Sequence, residues 1–132
     1  MKEVNADLLK TLAPTVFRGD YWKRGGGPEC SDGWLSILVD LVIKLELRNA
    51  KRLPQDQLEA TQIKEKFGSL RFYVANGTPI DREDIKNAET KSMDTCEDCG
   101  CQGKRYSDGW IRVLCDPCII VWKERRRHEG RN

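Results

Sequence analysis

The chain has 132 residues, of which 39% are hydrophobic and 33% are charged, and it contains six cysteines. This length suits one domain and is short for two domains that would each fold alone. The near balance of 23 basic against 21 acidic residues excludes a surface built throughout to bind a phosphate backbone. We expect a single domain over 1–132, with a core over 1–95 and a separate module over 96–132.

Hydropathy predicts no membrane span. The longest apolar run, 34–47, is interrupted by Lys44 and Glu46 and is shorter than the roughly 20 residues that a span needs. Residues 1–10 are charged and polar, unlike an export signal. We therefore expect a cytoplasmic protein, in which paired cysteines bind metal more often than they form disulfides.

The first predicted element is a short helix over 6–12. Asn5 is its expected N-cap, and Pro14 follows its end. The leucines expected on its core side are Leu8, Leu9 and Leu12.

A glycine-rich segment over 18–28 is interpreted as an exposed loop without regular structure. Its aromatic and basic side chains suit a protein partner or stacking on bases. A tryptophan folded back onto the core is an equally favoured alternative. The predicted partner-binding residues are Tyr21, Trp22, Lys23 and Arg24.

The middle of the chain predicts a central helix and a hairpin. The helix has Ser31 or Asp32 as its expected N-cap and is apolar on most sides from Trp34 through Leu47. Strands over 58–66 and 70–74, joined at 67–69, form the hairpin that packs on it. A polar helix then runs from Pro79 to about Met93, and its carboxylates are interpreted as solvated. They are Asp81, Glu83, Asp84 and Glu89.

Four cysteines have the spacing of a zinc site. Two Cys-x2-Cys pairs, Cys96 with Cys99 and Cys115 with Cys118, are separated by fifteen residues. Each two-residue spacer allows one tight turn to direct both sulfurs to one point. We predict one Zn²⁺ ion with a structural role, because four thiolates close the shell that a catalytic zinc keeps open.

The residues around these pairs predict a fold for the module. Segments 103–106 and 110–114 form a hairpin, and a helix then starts with Asp116 as N-cap and Pro117 at its first position. A knuckle, a hairpin and a helix carrying the last ligand, over 96–127, resemble the treble-clef zinc fingers and the related zinc-ribbon-like modules. The resemblance implies a fold and leaves the function open. The whole chain is thus predicted as α+β.

A broader resemblance lies in segment 62–73, in Ala88, Glu89 and Ser92, in the two knuckles and in the Gly109-Trp110 pair. Together they are similar to small uncharacterised proteins of bacteria and their phages. This resemblance implies a phage or prophage origin and, with it, the host cytoplasm.

Two cysteines remain outside the motif. Cys101 is interpreted as a spare thiol, although it is also a candidate to replace Cys99 or to help bind a different metal. Cys30 precedes the central helix and is interpreted as a small buried residue.

No catalytic constellation is evident, because His128 is the only histidine and lies in a charged tail. We predict a non-enzymatic protein that binds a protein partner, such as a phage-encoded modulator of a host factor, and no small-molecule substrate. The alternative is a nucleic-acid-binding zinc finger, such as a small transcription regulator, that uses a basic helix end. Helix-dipole stabilisation alone would also explain that basic end. Its residues are Lys123, Arg125, Arg126 and Arg127, with Arg131 beyond them.

Overall fold

The computed structural model describes residues 1–130, which contain both helices and strands. The helices in that range are α1 Glu3–Leu12, α2 Asp20–Lys23, α3 Leu35–Asn49, α4 Pro79–Ser92 and α5 Asp116–His128. The strands are β1 Glu59–Lys66, β2 Ser69–Ala75, β3 Lys104–Tyr106 and β4 Arg112–Leu114. They form two antiparallel hairpins, β1–β2 and β3–β4. The predicted α+β class, with a central helix, a hairpin and a C-terminal four-cysteine module, is confirmed.

Helix α3 is the centre of the core and packs against α1 and α4. The helix carries apolar residues on most sides, as predicted, but not all of them are buried: Leu47 is 65% exposed and Ile43 is also exposed. Trp34, fully buried, lies just before its first turn. The buried apolar residues of α3 are Ile37, Leu38, Leu41, Val42 and Leu45.

The β1–β2 hairpin covers one side of this core. A two-residue turn at Phe67 and Gly68, with φ of +52° and +84°, joins the strands. Ile63 and Phe72 pair on the core face, and both are buried. The opposite face of the hairpin points to solvent.

Three helix starts differ from the prediction. Helix α3 begins at Leu35 after a 3-10 turn over Asp32–Trp34, so neither Ser31 nor Asp32 is its N-cap. Helix α1 begins at Glu3, one turn early, and the Asn5 side chain donates to Asp32 Oδ1 at 2.8 Å and does not cap the helix. Leu8, expected on the core side, is exposed. Cys115 and not Asp116 is the N-cap of α5, so the predicted start was wrong by one residue.

The carboxylates of α4 are not all solvated, and for Asp81 that interpretation was wrong. Asp81 is fully buried, closes a capping box with Thr78, and pairs with Arg48 at 3.1 Å and Arg52 at 2.8 Å. Glu89 accepts the backbone N–H of Phe72 at 2.9 Å and so caps the free edge of β2.

In residues 1–130, no helix has the length and apolar character to cross a bilayer.

Candidate metal centre and its surroundings

The four predicted ligands come together. The sulfurs of Cys96, Cys99, Cys115 and Cys118 all lie within 4.8 Å of one another. Tetrahedral coordination at a metal–sulfur distance of about 2.3 Å places sulfurs about 3.8 Å apart. Four thiols on this scale fit one metal ion.

Local structure explains how the sulfurs converge. The first knuckle bends back on itself, since the Gly100 N–H donates to the Cys96 carbonyl at 2.9 Å. The Glu97 N–H donates to the Val113 carbonyl at 2.9 Å and thereby attaches this knuckle to β4. Strand β4 then leads into Cys115, and Cys118 lies in the first turn of α5. The observed order is knuckle, hairpin and helix, as predicted.

Backbone N–H groups favour the thiolate form of Cys96, which is the form that binds a metal ion. Burial raises the pKa of the Cys96 thiol, but N–H groups of Cys115, Cys99 and Asp98 point at its sulfur and outweigh burial, so that pKa falls to about 7. Burial and the neighbouring sulfurs raise the pKa of Cys118. Several thiols crowded together do not ionise readily without a cation, and metal binding therefore displaces protons.

The module is joined closely to the N-terminal end of α3. The Gly33 N–H donates to the Glu97 carbonyl at 2.7 Å, and Trp34 Nε1 donates to the Thr95 carbonyl at 2.9 Å. A Cβ at Gly33 would lie 2.3 Å from the carbonyl oxygens of Cys96 and Glu97. Only glycine permits this approach of the two backbones.

Glu97 and Arg112 complete this junction, and sequence reasoning missed both. The Glu97 side chain is buried and accepts the Ser31 N–H at 3.1 Å, while Arg112 Nε lies 3.3 Å from its other oxygen. Burial raises the pKa of Glu97, and the Arg112 guanidinium opposes that rise. For Glu97, the available signal was its position between Cys96 and Cys99, since a short loop between two ligands must pack against its neighbours.

The other two cysteines lie outside the cluster of four. Cys30 is buried in the main core, as predicted, and burial together with Glu97 raises the pKa of its thiol to about 12. Cys101 is exposed and does not belong to the cluster of four, so it does not take the place of Cys99.

The predicted partner-binding loop contains a helix, and Trp22 is not on the surface. Trp22 is 2% exposed, and its Nε1 donates to the Ala60 carbonyl at 2.7 Å. The prediction of Trp22 as a contact residue was wrong, and the alternative, a tryptophan folded onto the core, is the one observed. Tyr21, Lys23 and Arg24 are exposed, so partner binding stays a prediction for them.

The basic residues of α5 have unequal surroundings. The Arg126 guanidinium lies 4.9 Å from the ring of Trp122 and 5.5 Å from that of Trp110. Lys123 approaches the ring of Tyr106, and Arg127 pairs with Glu124 in the same helix. The remaining predicted residue, Arg125, lines a cavity beside Trp122, whereas Arg131 is outside the described residues.

Comparison with family models, with curated proteins and with solved structures finds no match. The resemblance to phage proteins stays a prediction.

Proposed function

We propose that this chain is a non-enzymatic nucleic-acid-binding protein whose C-terminal module is organised by one structural zinc ion. The observation that carries the proposal is the cluster of Arg126, Trp110 and Trp122 beside the metal centre. Guanidinium groups and aromatic faces at one site are typical of surfaces that bind nucleic acid.

Zinc is the metal that best suits this centre. Four thiolates are soft ligands in a number that matches tetrahedral Zn²⁺, and the two-residue spacers are those of structural zinc sites. The closed shell leaves no position for a substrate, which supports a structural role. The knuckle, hairpin and helix order supports a treble-clef-like module.

The arginines near the C-terminal end of α5 supply the positive charge that nucleic-acid binding requires. Within residues 1–130, Arg125 and Arg126 belong to none of the observed ion pairs, whereas Arg127 pairs with Glu124. A small number of phosphate contacts predicts weak binding that depends on salt.

Fluorescence anisotropy with labelled DNA and RNA across a salt series tests the proposal. We expect affinity to fall as salt rises, and the variant Arg125→Gln with Arg126→Gln to bind more weakly. Arg82→Gln with Lys86→Gln on α4 removes equal charge elsewhere and is the matched control. Absence of binding at low salt would contradict the proposal.

A protein partner is the second candidate, and one observation favours it. Ile120 and Val121 are neighbouring exposed aliphatic residues on α5, at 63% and 57%. Such a pair suits a hydrophobic contact, with Tyr21 as a further candidate. Modulation of a host factor by a phage-encoded protein is one form of this hypothesis. Replacing Ile120 and Val121 by serine would abolish protein capture and leave nucleic-acid affinity unchanged.

A further inference from the structure

The solvent face of the β1–β2 hairpin carries a row of polar, basic and aromatic residues. Cross-strand pairs Gln62–Tyr73 and Lys64–Arg71 alternate with the buried pair Ile63–Phe72. Side chains alternate between faces along a strand, so these two pairs and Lys66 share the outer face.

In the described part of the chain, the cations of this face form no ion pair, although the Glu29 carboxylate lies beside them and accepts a hydrogen bond from Gln62 Nε2 at 3.3 Å. Lys64 and Arg71 lie directly opposite each other, an arrangement of like charges that destabilises a sheet. Neither of them, nor Lys66, takes part in an ion pair within residues 1–130. An anion bound between the strands would relieve this repulsion.

The backbone conformation of Phe67, at the tip of the hairpin, destabilises the fold. Its φ of +52° is one that Asn, Asp and Gly adopt and that disfavours an aromatic residue. Its ring is 65% exposed and packs in no core. A strained residue with no role in packing indicates a functional constraint.

Further aromatic residues extend the face at both ends. At one end Tyr21 and Tyr73 line an open cavity of about 650 Å³. At the other end Phe67 and Trp110, from the tips of the two hairpins, line a cavity of about 490 Å³. Residues that join them in this second cavity include Lys64, Lys66 and Arg126.

We infer that this face binds single-stranded nucleic acid. The rings of Tyr73, Phe67 and Trp110 stack on unpaired bases, while Lys64 and Arg71 contact phosphates between them. A duplex offers no free base faces and binds less tightly here. The inference rests on the proposed function and adds to it the strand class and an extension of the binding surface from Trp110 and Arg126 across the β1–β2 hairpin.

Anisotropy titrations of the zinc-loaded full chain test it with three probes. These are oligothymidylate and oligouridylate of about 12 nucleotides, and a DNA duplex of the same length. We expect both single strands to bind at least tenfold more tightly than the duplex at about 50 mM salt. A preference between the two single strands then identifies DNA or RNA as the source.

A charge variant tests the phosphate contacts. Lys64→Gln with Arg71→Gln should weaken single-strand binding about tenfold and reduce the slope of log K against log salt by about 1.4. Lys86→Gln with Lys91→Gln on α4 removes two exposed cations that do not belong to this face and should leave both quantities unchanged.

A turn variant separates binding from folding. Phe67→Asn places a residue that favours φ > 0 in the turn, so the melting temperature should rise while single-strand affinity falls about tenfold. Loss of affinity in this variant cannot be attributed to unfolding. Unchanged affinity in a folded Phe67→Asn protein would overturn the inference.

The remaining outcomes distinguish the two proposals. Tight duplex binding that responds to Arg125→Gln with Arg126→Gln, but not to the hairpin variants, would overturn this inference and leave the proposed function intact. Binding to none of the three probes would overturn both, and the protein-partner hypothesis would take their place.

Discussion

Nineteen buried hydrophobic residues form one contiguous core in residues 1–95, whereas the buried cluster of the module over 96–130 contains three, Cys96, Leu114 and Ile119. The first region therefore has enough apolar burial to fold by the hydrophobic effect. A segment as short as the module rarely does without a metal or disulfides. The two regions should consequently respond to different perturbations.

Loss of one metal ligand should have the largest effect and be confined to the module. Metal binding at structural zinc sites contributes roughly 10–16 kcal/mol, so Cys118→Ser should unfold β3, β4 and α5. Hydrogen exchange should show lost protection there and retained protection in α3 and β1. Cys101→Ser, at an exposed cysteine outside the cluster, is the matched control. A Cys118→Ser protein that retains its metal and its exchange protection would show that the module does not depend on all four cysteines for folding.

A cavity in the core of residues 1–95 should have the opposite effect. It should destabilise that region and leave the metal bound in the module. Leu45 is fully buried, and Leu45→Ala should lower the free energy of unfolding by about 3 kcal/mol without releasing zinc. Leu47→Ala, on the exposed side of the same helix, should cost about 0.5 kcal/mol or less. Urea unfolding with metal analysis measures both quantities. Equal costs for the two substitutions would show that α3 does not have the central position described.

The junction between the regions is the next target. Gly33→Ala places a Cβ 2.3 Å from two carbonyl oxygens of the first knuckle, and neither backbone can yield easily. We expect a cost of about 2–3 kcal/mol, shared by both regions because their contact is broken. Gly27→Ala, whose new Cβ would meet only Ala6 at 3.4 Å, should be nearly neutral. If Gly33→Ala affects neither region, the two are not coupled here.

Local features were predictable and distant contacts were not. The metal ligands followed from cysteine spacing, and the hairpins and α3 from periodicity and turn residues, because these signals lie within a few residues of each other. The burial of Trp22 depends on Ala60, and the position of Glu97 depends on Ser31, 66 residues earlier. Asp81 looked like a surface residue since its two arginine partners come from α3 and the segment after it. Such pairings arise only when the chain folds.

Acid should also affect the two regions differently, although the expected change in the free energy of unfolding is smaller. The module requires thiolates and should release its metal as they are protonated, before the first region is affected. In the first region, burial raises the pKa of Asp81, but hydrogen bonds from Arg52, Thr78 and Arg48 outweigh it and lower that pKa from 3.8 to about 2. A depressed carboxyl pKa stabilises the fold above pH 3.8, and this stabilisation, about 2 kcal/mol, is lost as the pH falls toward 2.

Amide exchange of α3 across this pH range measures that contribution. The variant Asp81→Asn should be less stable by about 2 kcal/mol at pH 7 and should lose little more between pH 4 and pH 2. Asp56→Asn removes an exposed carboxylate and should keep the pH dependence of the parent protein. An Asp81→Asn protein with the parent's full acid sensitivity would mean that other carboxylates control the acid response. The pairs of Asp81 with Arg48 and Arg52 would then contribute nothing to the acid dependence of α3.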